Sequence, residues 1–501
     1  MKTKILLLSG LMICCTVLLF GQAMIIEPTA NVTVKGGVKS GGYLYVNDGN
    51  TGILTIKSDA TGTGSLVVDA PSSVSVAAHS NVELYLTGST SGTETDLWHL
   101  VSSPISDGVS NTFLGDYLLS YDETTNLFSY IISIDVPLTP MRGYEAWAWV
   151  PVGKTDVFSG TLNDGFQSLG LTHTGTNGWN LLGNPYPCAI DFDATSGWSF
   201  GNAEQKVWIW NTGSSGTKGT WATHVRGGVS ANGGSRYIPA EQGFFLHCTA
   251  ATTVSMDNNV RVYSTQGYYK SATTEPTTNI LRLEASGNGY KQETVIMFNP
   301  DASSSYDDYD AWFRNGSIGC PQIYSIIHND TTVCINTLPQ ITDNLTVPVG
   351  FTVGVPGTYT IRASELNTFG GNVLITLYDL KTSISRNLKV NPEYTFTADT
   401  LDNANRFLVI FGIAPFGTND IQASETVQIY SFGDAVFIKT NSTANTKGQV
   451  FIFDPIGKEQ FQGNLSGTEI TKISPDLSTG YYVVKVVTGE SAYSKKVFIT
   501  R

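Results

Sequence analysis

The chain has 501 residues, too many for one hydrophobic core, so roughly three to four domains are expected. Its formal net charge is −13, which argues against nucleic acid or an anionic membrane as the main partner. Only 14% of residues are charged and 51 are glycine, a balance that suits an extracellular β-rich protein better than a cytoplasmic enzyme.

Residues 1–23 read as a secretory signal peptide that does not belong to the fold. Lys2 and Lys4 form a positive start, Ile5 to Leu8 and Leu11 to Phe20 an apolar stretch, and Gly21-Gln22-Ala23 a small-residue cleavage site. Cys14 and Cys15 lie inside the apolar stretch and not after a small residue at its end, which argues against a lipid anchor. The stretch is too short for a membrane span, and no later one approaches the ~20 apolar residues a span needs. Without Lys2 and Lys4 there remain 27 basic and 42 acidic side chains. From Glu425 to Arg501 there are 8 basic and 7 acidic residues, so the acidity sits on the body of the chain.

Almost nothing reads as helix. Short β-branched and aromatic stretches, bounded by Gly, Asn, Asp and Ser, recur throughout and predict an all-β, multidomain chain. Over residues 24–95, Val32-Thr33-Val34, Leu44-Tyr45-Val46, Leu54-Thr55-Ile56, Leu66-Val67-Val68 and Val82-Glu83-Leu84 follow one another, with turns such as Asn47-Asp48-Gly49-Asn50 between them. That spacing predicts a short solenoid-like set of strands.

Residues 96–270 carry a duplication. Trp98-His99-Leu100-Val101-Ser102-Ser103-Pro104 is echoed by Trp179-Asn180-Leu181-Leu182-Gly183-Asn184-Pro185, both fitting W-x-L-[VL]-x-x-P. Each copy is followed by a second signal, Pro140-Met141-Arg142-Gly143-Tyr144 or Pro239-Ala240-Glu241-Gln242-Gly243-Phe244, which opens an aromatic strand. Two diverged β repeats, anchored by Trp98 and Trp179, are expected. Residues 279–413 alternate as a β-sandwich would, residues 414–426 form a polar linker, and residues 427–501 form a last β unit.

That last unit resembles a type A sorting domain of the type IX secretion system of Bacteroidetes. The resemblance rests on Val427-Gln428-Ile429-Tyr430, on Val450 to Lys458 with its Asp454-x-x-Gly457 turn, on Asp476 to Val486 with Gly480 and Tyr481, and on Lys495-Lys496-Val497-Phe498-Ile499. It implies an Ig-like fold that acts as an address. It also implies passage through the outer membrane with the secretion machinery and its sorting protease as partners. Removal of the domain, and attachment to surface glycolipid or release, would follow. The passenger resembles uncharacterised adhesin-like surface proteins of the same bacteria through Gly178 to Pro187 and Tyr309-Asp310-Ala311, a likeness that carries no known chemistry.

No constellation points to catalysis, and the chain is expected not to be an enzyme. His79, His99, His173, His224, His247 and His328 are scattered singly. Cys248 and His247 are adjacent and therefore face opposite sides of a strand. The four cysteines after the signal peptide, Cys188, Cys248, Cys320 and Cys334, allow three disulfide connectivities. Proximity favours Cys188–Cys248 and Cys320–Cys334, with buried free thiols as the alternative. No cofactor is expected. Asp307, Asp308 and Asp310 on one loop are a weak Ca²⁺ candidate that a solvated turn explains better. Trp147 and Trp149 share one strand face, as do Trp208 and Trp210, so either pair could form an exposed strip for extracellular glycans or a piece of core. The expectation is a secreted or outer-membrane-surface protein, structural or adhesin-like. A glycan-binding module is the alternative, and a glycan hydrolase with spatially paired carboxylates is a more distant one.

Overall fold

The computed structural model describes residues 24–26, 31–34, 54–68, 80–90, 97–212, 219–262, 279–342, 345–413, 427–440, 447–455, 457–465, 470–488 and 491–500. The expected signal peptide, the turn at Asn47–Asn50 and the linker lie outside them. The described residues are strands joined by turns, with helical structure confined to short 3-10 turns. No described helix is long and apolar enough to cross a membrane.

The N-terminal strands pair in parallel, as coils of a solenoid do. Met24–Ile26 lies beside Leu54–Ile56, which lies beside Ser80–Thr87, while Asn31–Val34 pairs in parallel with Ser65–Val68 in a second sheet. The packing does not stop at residue 95. Gly153–Gly160 returns antiparallel to Ser80–Thr87 along its whole length. The alternation of Val82, Leu84 and Leu86 leaves one apolar row on that strand; Phe158, opposite Val82, extends it across the sheet and Phe113 packs on Phe158. The core of the first unit therefore includes half of the first repeat.

The two repeats have the same sheet. In the first, the order is Leu127–Tyr130, Tyr117–Asp122, Gly143–Trp147, His99–Ser102. In the second, Trp221–Val225, Lys206–Trp210, Gly243–His247 and Trp179–Gly183 follow in the same order, with Ser230–Ala231 added at the edge. The repeats exchange reciprocal contacts. Ser102 N–H donates to Glu241 O, and its equivalent Gly183 N–H donates to Met141 O, the counterpart of Glu241. Val101 bridges Gln242 as Leu182 bridges Arg142. Met141 and Glu241 both take positive φ, 63° and 54°, to turn the chain into this exchange. An approximate twofold axis thus relates the copies.

Residues 280–413 form one eleven-stranded sheet whose two end strands, Ile384–Asn387 and Glu393–Ala398, are consecutive in the chain. The sheet curls into a near-barrel around a core that includes Leu281, Ile296, Phe351, Tyr359, Phe396 and Phe411. Residues 427–499 form two small sheets, of three and four strands, around Ile438, Val450, Ile452, Val484 and Val486. This unit rests on the near-barrel through Tyr378, Leu408, Tyr430, Phe437 and Ile470, with the Tyr430 and Phe437 rings stacked at 5.4 Å.

Candidate functional site

The outer face of the first repeat's sheet is built in rows, because residues directly opposite in an antiparallel ladder point to the same side. One row holds Phe128, Tyr121, Gly143 and Ser102. The next holds Tyr130, Leu119, Glu145 and Leu100, and a third holds Tyr117 and Trp147 beside Trp98. The first row is covered, with Tyr121 meeting Phe245 of the second repeat at 5.0 Å. The far end is open: Tyr117 and Trp149 are each 41% exposed and Tyr130 is 60% exposed. Their rings touch across three strands, Tyr117–Tyr130 at 5.9 Å and Tyr117–Trp149 at 5.5 Å, backed by Trp98 against Trp147 at 5.0 Å.

Two polar groups border this platform. At its rim, Lys154 Nζ joins Asp116 (2.6 Å) and Asp156 (2.7 Å), and Asp116 also accepts the Trp149 N–H. Burial, with the neighbouring Asp116 carboxylate adding to it, raises Asp156 above the usual carboxylate range. Within the face, Glu145 is partly buried between Leu100 and Leu119, with no hydrogen bond or ion pair to a described residue. Burial alone pushes its carboxyl up to about 8.

The sequence ladders fare differently. Trp208 is fully buried and donates its indole N–H to Trp312 O, and Trp210 packs edge-on against Trp221. Trp208 is therefore core, under Trp312 of the near-barrel, and Trp210 is half-buried beside it. Trp147 is also buried, its indole bonded to Ser89 O, which leaves Trp149 as the exposed member of its pair. The covering segment is tightly held: Arg314 lies 4.1 Å from the Trp179 ring, 4.2 Å from Trp221 and 4.5 Å from Phe245. Beside it, Tyr306 stacks on Trp312 at 4.1 Å and receives Lys206 over its face.

The favoured disulfides are not formed. All four thiols are free and buried, with Cys188 and Cys248 in one core cluster. Burial pushes Cys188, Cys320 and Cys334 to about 12 and Cys248 to about 11, so they behave as small apolar side chains. The Ca²⁺ candidate also dissolves. Asp307 accepts the N–H groups of Ser303 and Tyr309, and Asp310 those of Asp307 and Thr337, so these carboxylates staple their own loop. Asp308 is exposed. Among the described residues, no three or more His, Cys, Asp or Glu side chains are grouped as metal ligands.

One arrangement escaped sequence reasoning because no sequence motif links its members. Ser230 Oγ lies 2.9 Å from His224 Nδ1, and His224 Nε2 lies 2.8 Å from Asp193. Ser230 and His224 are both buried, so the chain of bonds ties a core together and presents no nucleophile to a substrate. Tyr117, Tyr130 and Glu145 were also missed. An acid inside the aromatic run Gly143-Tyr144-Glu145-Ala146-Trp147 was the available signal.

In the last unit, Gly457 has φ 86° and its N–H donates to Asp454 O, while Asp454 Oδ1 accepts the Lys458 N–H, closing the D-x-x-G turn. Gly480 opens a nine-residue strand paired with Ser491–Ile499. On its outer face Tyr481 meets Phe498 at 4.9 Å, and Lys496 lies 4.1 Å over the Tyr481 ring. Lys495 sits opposite Val484.

Fold and surface thus define a multidomain all-β protein with an internal duplication and an open aromatic face. The chain belongs to the family described as a domain of unknown function, DUF8693, which matches residues 13–411. No curated protein matches it in sequence. Among solved structures it is similar to a biofilm-associated protein BSP domain, at 8% identity over 83% of this chain and 96% of that one, with a TM-score of 0.18. The Bacillus anthracis TIE protein aligns at 8% identity over 89% of this chain and 72% of that one, with a TM-score of 0.09. At such scores neither likeness carries fold or function across.

Proposed function

We propose that this is a secreted bacterial cell-surface protein, structural or adhesive and without catalysis of its own, exported by the type IX secretion route and sorted by residues 427–501. The observation that carries the reading is the combination of a charged-then-apolar leader at residues 2–20 with a terminal unit bearing the Asp454-x-x-Gly457 turn, Gly480-Tyr481 and Lys495-Lys496. That unit has its own core, so it can be read and removed as a module. Its Tyr481, Phe498 and Lys496 form an exposed aromatic and basic stripe suited to recognition. The body, by contrast, is acidic and lined with apolar rings.

The test is fractionation of the native organism, with mass spectrometry of both ends of the protein. Protein outside the outer membrane, without peptides after about Ser424, supports the reading. Periplasmic protein retaining Arg501 overturns it.

A further inference from the structure

We propose that the open face of the first repeat is a docking site for an extended peptide presenting an arginine, with the guanidinium paired to Glu145 and the flanking apolar side chains laid on Tyr117, Tyr130 and Trp149. The second repeat shows what such a face takes. Aligning the motif tryptophans and the paired glycines makes Trp98 equivalent to Trp179, Leu119 to Trp208 and Glu145 to Phe245. In the second repeat this surface is filled by one strand segment of the near-barrel, whose Arg314 lies against Trp179, Trp221 and Phe245 and whose Trp312 extends the contact. There the cation is held by rings alone, and burial lowers Arg314 to about 10.

In the first repeat the same surface has no described segment over its far end. It also differs where a cation would rest, because an acid replaces the Phe245 ring. Glu145 has no cationic or hydrogen-bonding partner among the described residues, and Tyr117, diagonal to it across the ladder, is exposed. A carboxylate framed by apolar side chains is costly to leave ionised and is stabilised by an incoming guanidinium. Charge complementarity to the acidic body favours a basic segment over a neutral one. None of this depends on the route by which the protein reaches the surface.

The probe is the capped, fluorescein-labelled peptide Ala-Trp-Phe-Arg-Asn, the sequence of residues 311–315, titrated into the purified full chain and followed by anisotropy. A matched peptide carrying citrulline in place of arginine, and cellohexaose as a neutral glycan, are run beside it. Saturable binding is expected, weakened at least about tenfold by citrulline and by Glu145→Gln, and severalfold by Trp149→Ala. Circular dichroism confirms that each variant is folded, and the citrulline comparison needs no variant at all. Equal binding of the two peptides, no effect of Glu145→Gln in a folded chain, absence of saturable binding, or displacement of the peptide by cellohexaose would overturn the proposal.

Discussion

Glu145 is the residue at which the open face is most informative about itself. Its unfolded carboxyl titrates near 4.5, while burial raises it to about 8 in the folded chain. Between those values the folded state binds more protons than the unfolded state, so this group makes stability fall as pH rises. Below the unfolded value the penalty is absent. Glu145→Gln is neutral at every pH and should leave the melting temperature nearly unchanged at pH 4.5 while raising it at pH 8. The slope removed is at most about 1.4 kcal/mol per pH unit. Melting curves of the two proteins that run parallel from pH 4.5 to 8 would refute the assigned shift. Asp156, raised by burial beside Asp116, and Asp310, raised to about 7 by burial, act with the same sign and remain in both proteins. A bound guanidinium at Glu145 would offset the same penalty, so ligand stabilisation should grow with pH over this window.

At the scale of elements, the duplicated sheets meet where side chains are excluded. A Cβ on Gly143 would come within 2.2 Å of Leu182 O, and one on Gly243 within 2.9 Å of the Leu100–Val101 backbone. Gly143→Ala should therefore destabilise the chain by about 1–3 kcal/mol, and Gly143→Val by more, as read from the denaturant midpoint. An unchanged midpoint would mean that the repeats do not pack in this way. Both glycines belong to the second of the two paired signals from which the duplication was expected, and strand alternation made the all-β class legible. The covering of the two tryptophan ladders was not. Trp147/Trp149 and Trp208/Trp210 have the same alternation, and what separates them is a segment about a hundred residues further on that lands over only one pair. Likewise, no local pattern shows that Gly153–Gly160 comes back across the expected boundary near residue 95 to pair with Ser80–Thr87. Cys188 and Cys248 do share a core, as their pairing assumed, but that core takes them as thiols. Pattern shows which face of a strand is apolar; the partner that buries it is set by contacts remote in the chain.

On the scale of the whole molecule, successive units share cores instead of hanging as beads. Residues from the first repeat, the second repeat and the near-barrel meet in one cluster that includes Leu100, Trp208, Phe245, Ile280 and Ile335. The body should accordingly unfold with strong coupling between these units, whereas residues 427–499 meet it through a smaller patch. That patch has a kinetic consequence if the terminal unit is cut away during export. Tyr378, Leu408, Tyr430 and Phe437 remain pressed together after the connecting chain is severed, so scission and departure are two separate events. A protease site engineered within residues 414–426 should yield a nicked complex that co-elutes on size exclusion, and Tyr378→Ala should hasten its separation. Immediate separation of nicked wild-type protein would show that the patch holds nothing. With a lingering interface, the cut would act as a timer: the newly made end is available for attachment while the address is still in place, and loss of the address then exposes a fresh apolar spot on the body.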